Sequence, residues 1–271
     1  MSILLVVAVI LAVVPLVFIL ADVFLKGSPA ITLAFLTHLP TGPTLQGGGI
    51  ANTIAGTFTM VGLAALISIP IGVGAGIFFS EWHSSQLSTV AGFMNDVLTG
   101  FPSMVIGLFV FIVVVLTTRH FSAFAGAVAL SFLMIPIIAR TTDESLKLVP
   151  MTLREASMSL GVPRWKTIFR VVISTGKTGL LTGIILAVAR ATGETAPLLI
   201  TAATSNRYIT SIFTQPTGSM TVLIYNYGTS PYAIWQTQAW GAALVLILIM
   251  LGLNLFVKLV IGRNLTEARM E

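Results

Sequence analysis

The sequence predicts an all-α fold: a polytopic membrane helix bundle of six transmembrane helices, with a structured cytoplasmic loop between the fourth and the fifth. Three observations lead there. Hydrophobic residues make up 56% of the 271-residue chain and charged residues only 8%, with a mean hydropathy of +1.00, whereas a soluble domain carries about 25% charged residues. The apolar residues fall into six runs, at 3–21, 54–79, 97–117, 121–139, 179–203 and 239–261, of roughly the length a helix needs to cross about 30 Å of hydrocarbon. Strands would need only about ten residues, and a backbone without water partners closes its hydrogen bonds as a helix. Finally, with the N-terminus inside, ten basic residues (Arg140, Lys147, Arg154, Arg164, Lys166, Arg170, Lys177, Lys258, Arg263 and Arg269) face inward and three (Lys26, Arg119 and Arg207) face outward. That asymmetry predicts both termini in the cytoplasm of a cell-membrane, multi-pass protein.

The chain divides at the sequence level into 1–50, a first helix with an outward loop; 51–261, a core of five helices with its loop at 140–178; and 262–271, a cytoplasmic tail. The net charge of +5 is topological, and no recognition module or basic-aromatic platform points to nucleic acid. There is no cysteine, hence neither a disulfide nor a thiolate metal site.

The first run lacks a basic leader and a small-residue cleavage site, so it reads as a retained span, bent at Pro15. Residues 22–49, rich in Gly, Pro and Thr, read as an outward loop. In the second run Gly72 and Gly76 give the small-xxx-small spacing of close helix contacts. Residues 80–89 form a short polar loop with Glu81 and His83; no ligand stands three or four residues from His83, so no metal is expected there. The third span begins near Asn95 and Asp96 and breaks at Gly100 and Pro102, which would line a cavity or fit a neighbour.

From Leu148 the pattern becomes short helix, turn, short helix. Thr152 and Glu155 match a capping box, while Leu153, Ala156 and Leu160 share a face. Gly161 suits a helix stop and Pro163 the first position of the next helix. Trp165, Ile168, Phe169, Val172 and Ile173 then repeat at helical spacing, leaving Lys166 and Arg170 on the wetter side. Such a pair lies along the membrane surface or docks a partner. The segment Glu155-Ala156-Ser157, three residues, then Gly161 resembles the EAA loop of ABC-transporter permeases, departing from it at Ser157, Val171, Ile173 and Ser174. The resemblance implies a type I ABC importer permease fold, in which Glu155, Ala156, Ser157, Leu160 and Gly161, within a 150–161 coupling helix, contact an ATP-hydrolysing subunit. Gly176-Lys177-Thr178 looks like the end of a P-loop but lacks the leading glycine, since position 171 is Val171. No cofactor is therefore expected on this chain, and ATP and Mg would bind a partner.

The fifth run carries Arg190 and Glu194 near its middle, where an Arg costs about 2.5 to 3.5 kcal/mol. An i, i+4 pair with Arg first returns only tenths of that. Gly179, Gly183, Ala187 and Ala191 form a packing stripe, and the charged pair points about a quarter turn away. Pro197 removes the bond to the Gly193 carbonyl and opens the helix there. Arg190, with Thr192 and Thr195, could then receive an oxyanion, the guanidinium fork matching phosphate. Glu194 could accept the proton that hydrogen phosphate carries and sulfate mostly lacks. A purely structural ion pair is the competing reading.

Residues 187–199 resemble the fifth-span signature of the phosphate ABC-importer permeases, and residues 98–109, with Gly100, Pro102, Ser103, Gly107 and Leu108, resemble their third-span motif. Thr214-Gln215-Pro216, Ile224 to Tyr227 and Gln238-Ala239-Trp240 are closer to the PstA branch of that family than to its sister PstC. The resemblance covers residues 50–258. It implies a transport subunit rather than an enzyme, importing phosphate with a PstC-like second permease, a PstB-like ATP-binding dimer and a PstS-like extracytoplasmic binding protein. Alternatives are a permease for sulfate or molybdate, or an ion-coupled secondary carrier, which would need inverted repeats with paired broken helices. An intramembrane enzyme would need a nucleophile-base or ligand set, yet His38, His83 and His120 all lie near loops. In the last outward loop Tyr208, Phe213, Tyr225, Tyr227, Tyr232 and Trp235 suggest an interfacial aromatic belt, and residues 264–271 a frayed tail.

Overall fold

The computed structural model describes residues 2–45 and 47–267. The end of the expected tail, with Arg269, lies outside the described residues. Five helices are long and apolar enough to cross a membrane, and a bent pair supplies a sixth crossing if counted as one.

The first, α1 (Ser2–Gly27), contains Pro15. It runs into the expected outward loop because Asp22 and Lys26 pair across one turn at 2.8 Å. A short α2 (Leu33–Thr37) follows, capped by Thr32. Next come α3 (Ala51–Glu81) and α4 (Gln86–Gly100). The expected polar loop therefore shrinks to four residues, and Ser85 starts α4 by accepting the Ser88 N–H at 3.1 Å. The third span is no single rod. At Phe101 and Pro102 the chain turns by 104° into α5 (Ser103–Val110), which continues through a wide π-turn segment (Phe111–Val115) into α6 (Leu116–Thr118). Proline cannot donate the next helical bond, and its ring excludes the helical conformation at the residue before it.

Ser122 caps α7 (Ala123–Lys147), which shares the chain's most extensive interface with α3. Gly72 and Gly76 lie in that seam, against Ile138 and Thr142. After α7 come α8 (Met151–Ser159) and α9 (Arg164–Thr167). The expected capping box does not form: helix α8 begins at Met151, so Thr152 sits inside it, and the cap is Pro150, which has no side-chain acceptor. The stop at Gly161 does form. Gly161 has φ +77°, and its N–H and that of Val162 reach back to Met158 and Ser157 at 2.9 and 3.3 Å, the paired bonds of a Schellman turn. Pro163 sits at the cap of α9, one place before the expected position.

α9 is not a separate helix in practice. It passes through a second π-turn segment (Ile168–Val172) into α10 (Ile173–Thr192), a continuous rod from Arg164 to Thr192. The expected apolar face divides accordingly, with Ile168 and Val172 buried and Trp165 and Phe169 exposed. Gly176 and Lys177 are helical and make no phosphate loop. The chain restarts as α11 (Ala196–Thr201), then crosses a long loop, expected to face outward, to α12 (Met220–Gly228) and α13 (Ala233–Glu267). Residues 264–267, in the tail expected to fray, extend α13.

The main core joins Met60 and Ala64 of α3, Leu130, Met134 and Ile138 of α7, Ala187 and Ala191 of α10, and Leu198 of α11. A second cluster, around Phe35, Ile50, Leu223, Tyr227 and Val245, packs α2, α12 and α13 together. Tyr227 is buried in it, stacked on Trp235 at 4.5 Å. Only the other members of the expected belt, Tyr208, Phe213, Tyr225 and Tyr232, remain exposed.

Candidate functional site

The depth of Arg190 follows from helix register. A side chain on Gly179 would strike Ser145, and one on Gly183 would strike Thr141. Each four-residue step along α10 thus matches a four-residue step back along α7, which sets Arg190 level with Met134, midway along α7. Ala187 and Ala191 continue the stripe and are buried. α10 approaches α7 this closely because nothing larger stands at those positions.

Arg190 points off that stripe. Its side chain is 54% exposed, Glu194 is 16% exposed, and Nε lies 3.6 Å from Glu194 Oε1. That is an ion pair beyond hydrogen-bond range, and among the described residues the guanidinium makes no hydrogen bond. Its planar face of donors therefore lies open.

The two residues stand on either side of a break. α10 ends at Thr192, where Gly193 and Glu194 fold back to the carbonyls of Arg190 and Ala191 at 3.1 and 3.2 Å. α11 resumes at Ala196 with Pro197 in its first turn. Proline at 197 withholds the N–H that would have continued the rod. The carbonyl of Glu194, freed by the break, accepts from Thr221 Oγ1 at 2.8 Å. The first turn of α12 is thereby fastened to the charged pair, a link the sequence did not reveal.

The hydroxyls divide. Thr192 is buried and donates to the Val188 carbonyl at 2.8 Å, so its proton is held within its own helix. It lines an apolar cavity with Thr57, Val61, Val188 and Leu246. Thr195 is half-buried at the cap of α11, and its side chain makes no capping bond. The third-span motif packs against the fifth where α5 runs beside α11, with Gly107 against Pro197 and Ile200. Gly100 faces open space and Pro102 is exposed at the corner.

A second candidate region lies at the end of the bundle where α3 and α7 stop. α8 has no buried residue: Met151, Leu153, Met158 and Leu160 are all exposed, Leu160 by 84%. Glu155 and Ala156 are exposed as well, while Ser157 is half-buried and its hydroxyl meets that of Thr167 at 2.9 Å. Among the described residues no cluster of three or more metal-ligating side chains occurs.

Sequence reasoning missed one group. Glu81, read as part of a solvated loop, is 6% exposed and pairs with Arg154 at 3.1 Å. The available signal was a lone acidic residue, in a loop without Lys or Arg, on the same side as the basic segment.

The profile of the family described as binding-protein-dependent transport system inner membrane component matches residues 68–264. The chain belongs to this family. It is 46% identical over 241 residues to the phosphate transport system permease protein PstA of Xylella fastidiosa (strain Temecula1 / ATCC 700964), covering 88% of this chain and 83% of that one. It is 43% identical over 242 residues to the PstA of Haemophilus influenzae, covering 89% and 85%. To that of Yersinia pestis it is 41% identical over 250 residues, covering 92% and 84%. A solved structure described as the inward-facing MetNI methionine ABC transporter superposes with a TM-score of 0.63 at 17% identity, over 79% of this chain and 94% of that one. The fold is that of the inner-membrane transport components, as the EAA-like segment implied, and the chain is a multi-pass membrane transport subunit rather than an enzyme. The resemblance to the phosphate permeases read from residues 187–199 is borne out by these relatives.

Proposed function

We propose that the chain is the permease subunit of an ATP-driven importer of inorganic phosphate, with Arg190 and Glu194 on the translocation path. The observation that carries this reading is the half-exposed Arg190 guanidinium, level with the middle of α7 and beside a helix break, with no hydrogen bond among the described residues. A group that costs about 2.5 to 3.5 kcal/mol to place at that depth serves either a cargo or a buried partner. The relatives' names favour phosphate as the cargo, and a guanidinium offers phosphate two parallel hydrogen bonds.

In this assembly the open face of α10 meets a second permease subunit, and the path runs between them. The exposed face of α8, with Glu155, Ala156, Ser157, Leu160 and Gly161 in or beside it, docks on an ATP-binding subunit of a dimer that holds ATP and Mg. Outward segments around α12 receive a phosphate-binding protein, and both termini are cytoplasmic. The bond from Thr221 to Glu194 gives such a protein a direct hold on the break.

The test is phosphate uptake by the assembled complex in liposomes. Arg190→Gln should abolish uptake while the complex still assembles and hydrolyses ATP. Glu194→Gln should lower discrimination of phosphate over sulfate, since the carboxylate accepts the proton of hydrogen phosphate and repels fully ionised sulfate, whereas the amide is uncharged and can also donate to sulfate. Undiminished, equally selective uptake in both variants would assign the pair a structural role instead.

A further inference from the structure

The attachment of α8 to the membrane helices is almost wholly polar and centres on one arginine. Arg154 donates from Nε to Glu81 at 3.1 Å, from Nη1 to the Val149 carbonyl at 2.6 Å and from Nη2 to the Leu146 carbonyl at 2.9 Å. Its side chain is 11% exposed and that of Glu81 6%. The two carbonyls lie at and just past the end of α7, where a helix leaves its last acceptors unsatisfied. Glu81 is the last residue of α3. A single guanidinium therefore ties α8 to the cytoplasmic ends of two membrane-spanning helices.

Glu81 also serves the far side of the Gly161 turn. Its carbonyl accepts from Arg164 Nη2 at 2.6 Å, its second carboxylate oxygen lies 3.9 Å from the same nitrogen, and the Arg164 guanidinium sits 4.9 Å over the Trp82 ring. Arg164 opens the rod that ends at Arg190 and Thr192. Around this polar node α8 itself contributes no buried apolar side chain, and its other contacts run to the start of the rod, as between Ser157 and Thr167 at 2.9 Å.

We infer that Glu81 and Arg154 are positioning residues that transmit the displacement of α8 into α3 and α7, and that the ATPase-facing residues only receive it. The guanidinium fork suits this node, because Nε, Nη1 and Nη2 each reach a separate acceptor from one rigid plane, whereas a Lys ammonium gathers its donors on a single compact nitrogen. Loss of either partner leaves a desolvated charge, so the structure at the node loosens while the outward apolar face of α8 is unchanged. The inference rests on the proposed docking of an ATP-binding subunit to α8.

The complete complex, with the sister permease and ATP-binding dimer, is reconstituted in liposomes carrying wild-type chain, Glu81→Gln, Arg154→Gln or both. Phosphate moved per ATP hydrolysed is measured beside co-purification of the ATP-binding subunit. The expected result is wild-type co-purification, continued hydrolysis and a fall of about tenfold or more in phosphate per ATP, with the double variant no worse than the worse single one, as for residues acting as one unit. An unchanged ratio overturns the inference. So does loss of the ATP-binding subunit in step with transport, which would make the node a support for docking rather than a transmitter. A wild-type complex without phosphate-stimulated hydrolysis would instead remove the proposed function.

Discussion

Leu160 closes α8 with its side chain 84% exposed, so in the free chain it contributes little to folding. In the proposed complex it is buried against the ATP-binding subunit. Leu160→Ala removes three carbons, and at about 0.8 kcal/mol for each buried methylene the lost interaction is about 2.4 kcal/mol. That corresponds to about 60-fold weaker binding. The assay is titration of the ATP-binding subunit onto the permease pair held in nanodiscs, with thermal unfolding of the permease measured in parallel. Leu160→Ala should weaken binding by that factor and leave the unfolding temperature unchanged. The contrasting variant is Leu146→Ala, where the side chain is 0% exposed and packed with Val149 and Val172. There the cost is about 2 to 5 kcal/mol of fold stability, and the unfolding temperature should drop. Unaltered affinity in Leu160→Ala, or a lowered unfolding temperature without altered affinity, would refute the assignment of this face to docking.

Gly161 holds φ +77°, a conformation that costs an L-residue about 1 to 2 kcal/mol. Gly161→Val should therefore loosen the α8 turn and reduce transport-coupled ATP hydrolysis, read as phosphate-stimulated activity, with little change in total helix content by circular dichroism. Gly183→Leu should prevent assembly, seen as loss of the monodisperse complex on size exclusion, because any side chain there meets Thr141 of α7. Gly193 has φ −90° and only ordinary contacts around an added Cβ, at 3.6 and 3.9 Å. In this cysteine-free chain, Gly193→Cys should react with a membrane-impermeant thiol reagent and be protected by phosphate, whereas Ala187→Cys, buried on the stripe, should not react.

The helices were legible wherever apolar length alone decides the matter, as for the runs at 54–79 and 121–139, which became α3 and α7. Less was visible where polar residues continue a helix. The segment 86–100 has too many hydroxyl and amide residues to read as a span, yet Ser85 caps it and Asn95 anchors it through the Pro136 carbonyl at 3.3 Å. The second short helix of the loop was misread as separate because the change from basic to apolar composition near Lys177 resembles a boundary. Backbone hydrogen bonding is indifferent to that change, and the rod simply passes through it. At the site, the stripe of small residues and the break at Gly193 and Pro197 were encoded locally, in spacing and in the chemistry of proline. The free state of Arg190, the inward turn of Thr192 and the partners of Glu81 depend on contacts across 4, 4 and 73 residues of chain. Helical periodicity cannot report the longest of these, and the two short ones depend on rotamers.

The balance of forces at Arg190 bears on where a path can run. The side facing α7 is filled by Gly183, Ala187 and Ala191, which leave no room for a cargo. The open side carries the guanidinium, whose only charged neighbour among the described residues is a carboxylate 3.6 Å away on the same stretch of chain, and such a pair returns tenths of a kcal/mol against a cost several times larger. Lipid cannot supply the difference, since hydrocarbon offers the remaining N–H groups no acceptor. The face must therefore meet water, an anion or a second polypeptide. The bundle is already close-packed on its other side, so in the proposed importer the first two reach Arg190 through a space bounded in part by the second permease. On that proposal the subunit contributes half a passage, and a mid-membrane arginine on its unfilled half is the physical reason that it would work as one of a pair.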